Sequence, residues 1–271
     1  EGSRADAGTG NEAGLVRSDF LVAVVNENIR IHVIPTPFYG ANCCVITPQS
    51  QGDGQVGALV VDPSFGVREE IRRALEEDGA YVGAVLATHG HADHVWDCAE
   101  VASWAPEGPA PVWIPGPDAY RLDDPASYVS LPLPEEVSEG WRKPSVIKEC
   151  PVDSFEYVPG LVLRMVPAPG HTEGSALFLG ASVLTVYWNG VRALDTGVVV
   201  PWALSGDVIF AGSVGRTDMP GGDETQMRHT LRTLANVIDP QTILFPGHSV
   251  ATTMGDELAN NAYLRRAKSI G

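Results

Sequence analysis

The sequence predicts an α/β protein of the αββα type, two sheet-plus-helix halves packed face to face. Two observations lead there. Short runs rich in branched residues alternate with stretches of helical spacing, and the alternation occurs twice along the 271 residues. Three of the apolar runs end in a turn that carries histidine: Thr88-His89-Gly90-His91-Ala92-Asp93-His94, Pro169-Gly170-His171 and Pro246-Gly247-His248. Loops at strand ends let a rigid scaffold aim several side chains at one point.

Taken in order, residues 1–18 read as a flexible, Gly- and Ala-rich lead-in, and 19–271 as one domain. Runs 21–25, 31–34, 43–46 and 59–61 are expected strands. Val67, Ile71, Ala74 and Leu75 share one helical face, so 67–78 is a helix that Gly79 stops. The run 82–87 is a strand leading into the histidine cluster. A helix follows, with Val95, Cys98, Val101 and Ala102 on one face, and then a strand at 112–114. Residues 122–149 are rich in Pro, Asp, Glu and Ser and read as an inserted surface excursion, a lid over the site. Strands are expected at 161–166, 176–179, 183–187, 198–200, 208–211 and 242–245, and helices at 223–238 and 255–268. Residues 182–204 read as a second insertion. For Tyr187, Trp188, Trp202 and Trp141 the expectation is packing, with pocket lining as the alternative.

Composition bounds the function. The net charge is −16, which repels phosphate backbones and excludes nucleic acid as a partner. No apolar run approaches the ~20 residues of a membrane span. Cys43, Cys44, Cys98 and Cys150 form no C-x-x-C pair and read as reduced thiols, and no signal-peptide pattern is present. The reading is a cytoplasmic protein acting on a small molecule, its oligomeric state left open. Cys43 and Cys44 should face opposite sides of their strand.

The chemistry lies in the histidine turns and in Ser205-Gly206-Asp207, a carboxylate just before the run 208–211. His89, His91, Asp93, His94, His171, Asp207 and His248 offer seven N/O donors, too many for one tetrahedral ion and suited to two ions sharing a carboxylate. The donor set would accept Zn, Fe or Mn. His32, on a strand without partners, and His229, on the polar side of a helix, read as structural or solvated.

The cluster His89 to His94, the turn Pro169-Gly170-His171-Thr172, Ser205-Gly206-Asp207 and Phe245-Pro246-Gly247-His248 resemble, in this order, the metallo-β-lactamase superfamily pattern. The resemblance runs from about residue 21 to the C-terminus. Within that superfamily the run Gly206-Asp207-Val208-Ile209-Phe210-Ala211-Gly212-Ser213-Val214-Gly215-Arg216-Thr217-Asp218 is similar to the glyoxalase II-like (hydroxyacylglutathione hydrolase-related) single-domain hydrolases, as is Phe38-Tyr39-Gly40-Ala41-Asn42-Cys43. The resemblance implies the metallo-β-lactamase fold and two divalent ions, Zn in the first place. Metal 1 would take His89, His91 and His171, metal 2 would take Asp93, His94 and His248, and Asp207 would bridge them. It implies thioester hydrolysis by a metal-bridging hydroxide, with Asp93 as a catalytic proton carrier. Arg216 follows Asp207 closely in the chain and reads equally as a contact for an anionic substrate or as a structural salt bridge. The commonest β-lactamase subgroup has cysteine where Asp207 stands, and the carboxylate favours thioesters or other esters. Full-length glyoxalase II enzymes add a helical C-terminal domain, whereas 23 residues follow His248 here. The alternatives are a mononuclear iron persulfide dioxygenase using His89, His171 and Asp207, a hydrolase of lactones or other esters, and a non-catalytic metal-binding module.

Overall fold

The computed structural model describes residues 21, 23–49, 54–129, 132–135, 137 and 140–269. The expected lead-in, residues 1–18, lies outside them. The first half of the chain contains β1 (Ile29–Pro35), β2 (Asn42–Pro48), β3 (Val56–Val61), α1 (Arg68–Asp78), β4 (Ala80–Leu86), α2 (Ala92–Val95), α3 (Cys98–Ala102) and β5 (Val112–Ile114). Then come β6 (Ile147–Glu149), β7 (Asp153–Val158), β8 (Leu161–Pro167), β9 (Ala176–Trp188), β10 (Val191–Gly206), β11 (Ile209–Phe210) and β12 (Ser213–Val214). The chain closes with α4 (Glu224–Val237), β13 (Ile243–Pro246), β14 (Thr252–Thr253), α5 (Met254–Asn260) and α6 (Ala262–Ser269).

Three apolar layers make the αββα sandwich. Strand side chains alternate between faces, so adjacent residues enter different layers. Cys44, Ile46, Leu59 and Val61 enter the central layer, where Phe178, Leu184, Trp202 and Leu204 meet them. Their neighbours Cys43, Val45, Ala58 and Val60 enter the outer layer beneath α1 and α3, with Ile71, Leu75 and Val101. The two adjacent cysteines do face opposite sides, and all four cysteines are free and buried. On the other flank Leu177, Leu179 and Ala203 pack under α4 and α6 with Met227, Leu231, Leu234 and Leu264. Burying each of the Leu, Ile, Val, Phe and Met side chains contributes about 1.5–3 kcal/mol. Asp223 caps α4, accepting from the Gln226 amide at 2.9 Å.

β9 joins the halves. Its first residues pair antiparallel with β8, its last pair parallel with β1, and β10 runs antiparallel along its other edge. Three of the four short strands expected between 176 and 211 are therefore corrected, and the fourth, 208–211, contains β11. Two of them, 176–179 and 183–187, are one 13-residue strand, and 198–200 belongs to the 16-residue β10. Residues 182–204 are most of that hairpin, whose register shifts between Arg192 and Leu194 and between Asp195 and Val199. Among the described residues of the expected strand 21–25, Val25 forms an isolated bridge to Ala181. Two expected helices are each divided, at Trp96-Asp97 and at Asn261. Asn261 is buried and its Oδ1 accepts from the Tyr263 and Leu264 amides, so it starts a new helix.

The described part of 122–149 is half embedded. Leu122 and Val137 are buried, Trp141 packs on Trp96 and donates to the Leu122 carbonyl, and 147–149 pairs with β5 as β6. Among the four aromatics, Trp202 is fully buried and donates to Ser182 Oγ. Tyr187 stacks on His32, and Trp188 packs against the central layer. Packing accounts for all four. No helix among the described residues is long and apolar enough to cross a membrane.

Candidate metal centre

Parallel pairing sets the site. β3 runs parallel to β4, and β10 parallel to β13. β8 and β10 both run antiparallel to β9 and so share a direction. The residues just past the C-terminal ends of β4, β8, β10 and β13 carry His89, His171, Asp207 and His248, and α2 adds Asp93 and His94. All seven expected donors converge. Their atoms fall into three groups, each within 4.8 Å: His89, His91 and His171; His89, His94 and Asp207; Asp93, His94 and His248. His32 and His229 lie elsewhere. His32 is buried against Asp78 at 3.1 Å, and His229 is exposed on α4.

Hydrogen bonds behind the rings decide which nitrogen faces inward. His171 Nδ1 lies 2.7 Å from the Arg216 carbonyl, which can only accept, so Nδ1 carries the proton and Nε2 is bare. His94 Nδ1 donates to Asp62 Oδ2 at 2.9 Å. Thr88 Oγ1 donates to the same Asp62 oxygen at 2.7 Å and can therefore accept from His89 Nδ1 at 3.1 Å. The Nε2 atoms of His89, His94 and His171 thus face inward. His91 turns its Nδ1 inward instead, 3.1 Å from His89 Nε2 and 2.9 Å from His171 Nε2.

This arrangement fits a cation. His91 Nδ1 could donate a proton to only one of the His89 and His171 Nε2 atoms, whereas a cation among the three nitrogens would satisfy all of them. A tetrahedral zinc site with bonds of ~2.0–2.1 Å has donor–donor edges of about 3.3 Å. Asp207 stands 3.4 Å from His94 Nε2, 3.4 Å from His171 Nε2 and 3.3 Å from His248 Nε2, within reach of both triads. Its Oδ1 is buried and has no hydrogen-bond partner among the described residues. A buried carboxylate left this way demands a positive partner. Burial opposes charge on His94 and His248, but the carboxylates outweigh it. Asp207, Asp93 and Asp62 raise His94 to about 9, and Asp207 and Asp93 raise His248 to about 11. His91 is lowered to about 3 by burial and then by His171. Such a site holds protons when bare and exchanges them for cations.

Two carboxylates brace the ligand loops. Asp62, at the end of β3, also accepts from the Thr88 amide at 2.7 Å. Asp118, fully buried, accepts from the Gly90 amide (2.8 Å), Thr172 Oγ1 (2.7 Å) and the Gly174 amide (2.7 Å). It ties the His89–His91 loop to the His171 loop. A Cβ on Gly90 would lie 2.6 Å from Arg121 Cδ, so this junction needs glycine. Asp62 ends an apolar run in the same way the histidine turns do, and that grammar could have revealed it. Asp118 carries no local signal.

Above the donors lies a cavity of about 300 Å³. Asp93, His91, His171, Asp207 and His248 form its floor, and Tyr39, Val129, Phe210, Val214, Arg216 and Met219 its wall. Arg216 reaches the cavity, but its guanidinium is held by Asp218 at 2.6 and 2.8 Å. The Tyr39 hydroxyl donates to the Pro132 carbonyl at 2.7 Å, bringing the 122–149 segment to the rim.

The chain is similar to known proteins in sequence and in fold. The metallo-beta-lactamase superfamily model matches residues 37–184. An uncharacterised protein of Mycobacterium leprae (strain TN) is 32% identical over 232 residues, covering 85% of this chain and 96% of that one. The hydroxyacylglutathione hydrolase GloC of Haemophilus influenzae (strain ATCC 51907 / DSM 11121 / KW20 / Rd) is 25% identical over 242 residues, covering 87% and 98%. The crystal structure of the BLEG-1 B3 metallo-beta-lactamase superposes with a TM-score of 0.63 at 24% identity, over 86% of this chain and 99% of that one. The chain belongs to the metallo-beta-lactamase superfamily, as one of its metallo-hydrolases.

Proposed function

We propose that the protein is a two-cation hydrolase of carboxylic thioesters. The observation that carries this reading is the pair of donor triads facing one shared carboxylate. His89, His91 and His171 would hold one divalent cation, Asp93, His94 and His248 the other, with Asp207 between them. Zn is the first expectation, and Fe or Mn suit the same donors. When bound, the cations would supply a Lewis acid for the substrate carbonyl and make hydroxide available near neutral pH. The relative named hydroxyacylglutathione hydrolase supports a thioester as the substrate.

The chain's own residues supply orientation and proton handling. Asp62, Thr88 and the Arg216 carbonyl hold three imidazoles in the tautomer that leaves Nε2 free. Asp93 is buried at the cavity floor, with Oδ2 3.3 Å from His248 Nε2. From there its carboxylate can take the proton released as the carbonyl is attacked and return it to the leaving sulfur. Arg216, at the rim, is the proposed substrate contact.

A screen of thioesters, lactones and β-lactams against the metal-loaded protein tests the reading. Thioester turnover that Asp207→Ala abolishes supports it, and turnover untouched by that substitution overturns it. His89, His171 and Asp207 also amount to a two-histidine, one-carboxylate set, which keeps the iron persulfide dioxygenase as the second reading. One iron per chain with oxygen uptake on a persulfide would replace the hydrolase.

A further inference from the structure

The cavity wall differs in character from its floor. Of the six wall residues, Tyr39, Val129, Phe210, Val214 and Met219 are apolar or aromatic. Arg216 is the one cation among them, and the Asp218 carboxylate engages its Nε and one terminal nitrogen. That pair carries no net charge. The whole chain carries −16. Along the described wall, a substrate's carboxylates would press against phenyl, thioether and branched side chains, and the one cation there is already engaged by Asp218.

The apolar wall is also fixed in place. Phe210 and Val214 stand on the β11–β12 hairpin directly after Asp207. From below, buried Glu257 accepts from the Gly212 amide at 2.9 Å, and Asn261 Nδ2 donates to the Ser213 carbonyl at 2.9 Å. Ser205 Oγ donates to the Ile209 carbonyl at 2.9 Å. The Phe210 ring lies edge-on to the His248 ring, centroids 5.8 Å apart. The apolar surface therefore begins beside the donors, where a scissile carbonyl would sit. A preformed apolar wall gains affinity from an apolar chain without first having to be ordered.

We propose that the substrate is an uncharged thioester or ester with an apolar acyl chain, and that Phe210, Val214 and Met219 are the specificity-determining residues that seat the chain. This rests on the hydrolase reading above and narrows its substrate class.

The test compares acetyl, butyryl, hexanoyl and octanoyl thioesters of N-acetylcysteamine with S-lactoylglutathione, using metal-loaded wild type, Phe210→Ala and Phe210→Leu. The expected result is a kcat/KM that climbs about fourfold per added methylene until the wall is filled, the rate equivalent of ~0.8 kcal/mol per buried CH₂. Phe210→Ala should flatten that slope, and Phe210→Leu should keep most of it. S-lactoylglutathione preferred over every neutral thioester, with no dependence on chain length, overturns the proposal while leaving the hydrolase reading standing. Absence of any turnover would instead defeat the hydrolase reading. Calorimetric binding of the matching non-hydrolysable amides then decides the subsite: affinity rising with length and lost in Phe210→Ala supports it, and affinity indifferent to both overturns it.

Discussion

Behind His89 and His171 stand Thr88 Oγ1 and the Arg216 carbonyl, and the loops carrying them are bound together by Asp118. His91, the third donor there, has no hydrogen bond on its outer Nε2 among the described residues, but it is buried, and the second triad is less enclosed. His94 is backed by Asp62 and its side chain is fully buried. The backbone around His248 is held where Asn42 donates to the carbonyls of Pro246 and Ser249 and the Gly247 amide bonds to Gly206, and its ring meets Asp93 and Asp207 on the inner side alone. Among the described residues no hydrogen bond backs the outer nitrogen of the His248 ring, and its side chain is 23% exposed. Ordering a ligand costs free energy at folding or at binding. Where buried acceptors have already fixed the ring, a cation meets a finished site, and where they have not, binding must order the ring. The first triad should therefore hold its cation more tightly than the second.

The largest effect belongs to Asp207, which faces both triads. Asp207→Ala should cost about a thousandfold or more in kcat/KM, the loss of several kcal/mol of charge stabilisation. Bound metal, counted by elemental analysis after dialysis, should fall below two ions per chain. Two tightly held ions in this variant would mean that the carboxylate is not shared. Next comes the comparison itself. Titrating metal-stripped wild type should give two classes of affinity. His248→Ala should remove the weaker class and spare the tighter one. A single class of equal sites, or loss of both in His248→Ala, would break the proposed asymmetry.

Asp118→Asn and Asp62→Ala separate the braces. Asp118 accepts three hydrogen bonds and faces three donors, so an amide NH₂ placed there must oppose at least one of them. The expected cost is about 10–100-fold in metal affinity, confined to the tighter class. Asp62 touches His94 directly and His89 through Thr88, so its loss should weaken both classes by a similar factor. Competition titration with a chromophoric chelator reads both. An Asp118→Asn variant that weakens only the looser class would reverse the assignment.

The seven donors that converge were legible because metal chemistry restricts which residue types can serve, and because their turns adjoin apolar runs. The three layers were legible because alternation along strands such as 43–46 and 58–61 fixes two faces at once. Asp118 was not legible. Its role depends on amides and a hydroxyl 28, 54 and 56 residues away, which no local pattern records. The length of β9 and β10 was hidden by Gly180-Ala181-Ser182 and by the polar tip 189–197, whose irregular register lets poor strand formers stay paired. β7 was missed because only its last two residues are buried, so its alternation has little to act on.

The smallest effect sharpens the comparison from outside the ligand set. Glu257, 4% exposed on α5, accepts from the Gly212 amide, the Asn261 side chain and Thr252 Oγ1 at 2.7–2.9 Å. It braces the β11–β12 hairpin as Asp118 braces the ligand loops, but it lies beneath the substrate wall and touches no donor. Glu257→Gln replaces one acceptor oxygen with a donor and leaves a buried group unmatched, a cost of about 1–3 kcal/mol. For a domain of this size that lowers Tm by roughly 2–4 °C per kcal/mol. Metal content and both affinity classes should stay as in wild type, while KM rises for long acyl chains more than for acetyl. If Glu257→Gln instead lowers metal affinity, the hairpin positions Asp207 as well as the wall, and the second triad has a brace that the hydrogen bonds behind its rings do not reveal.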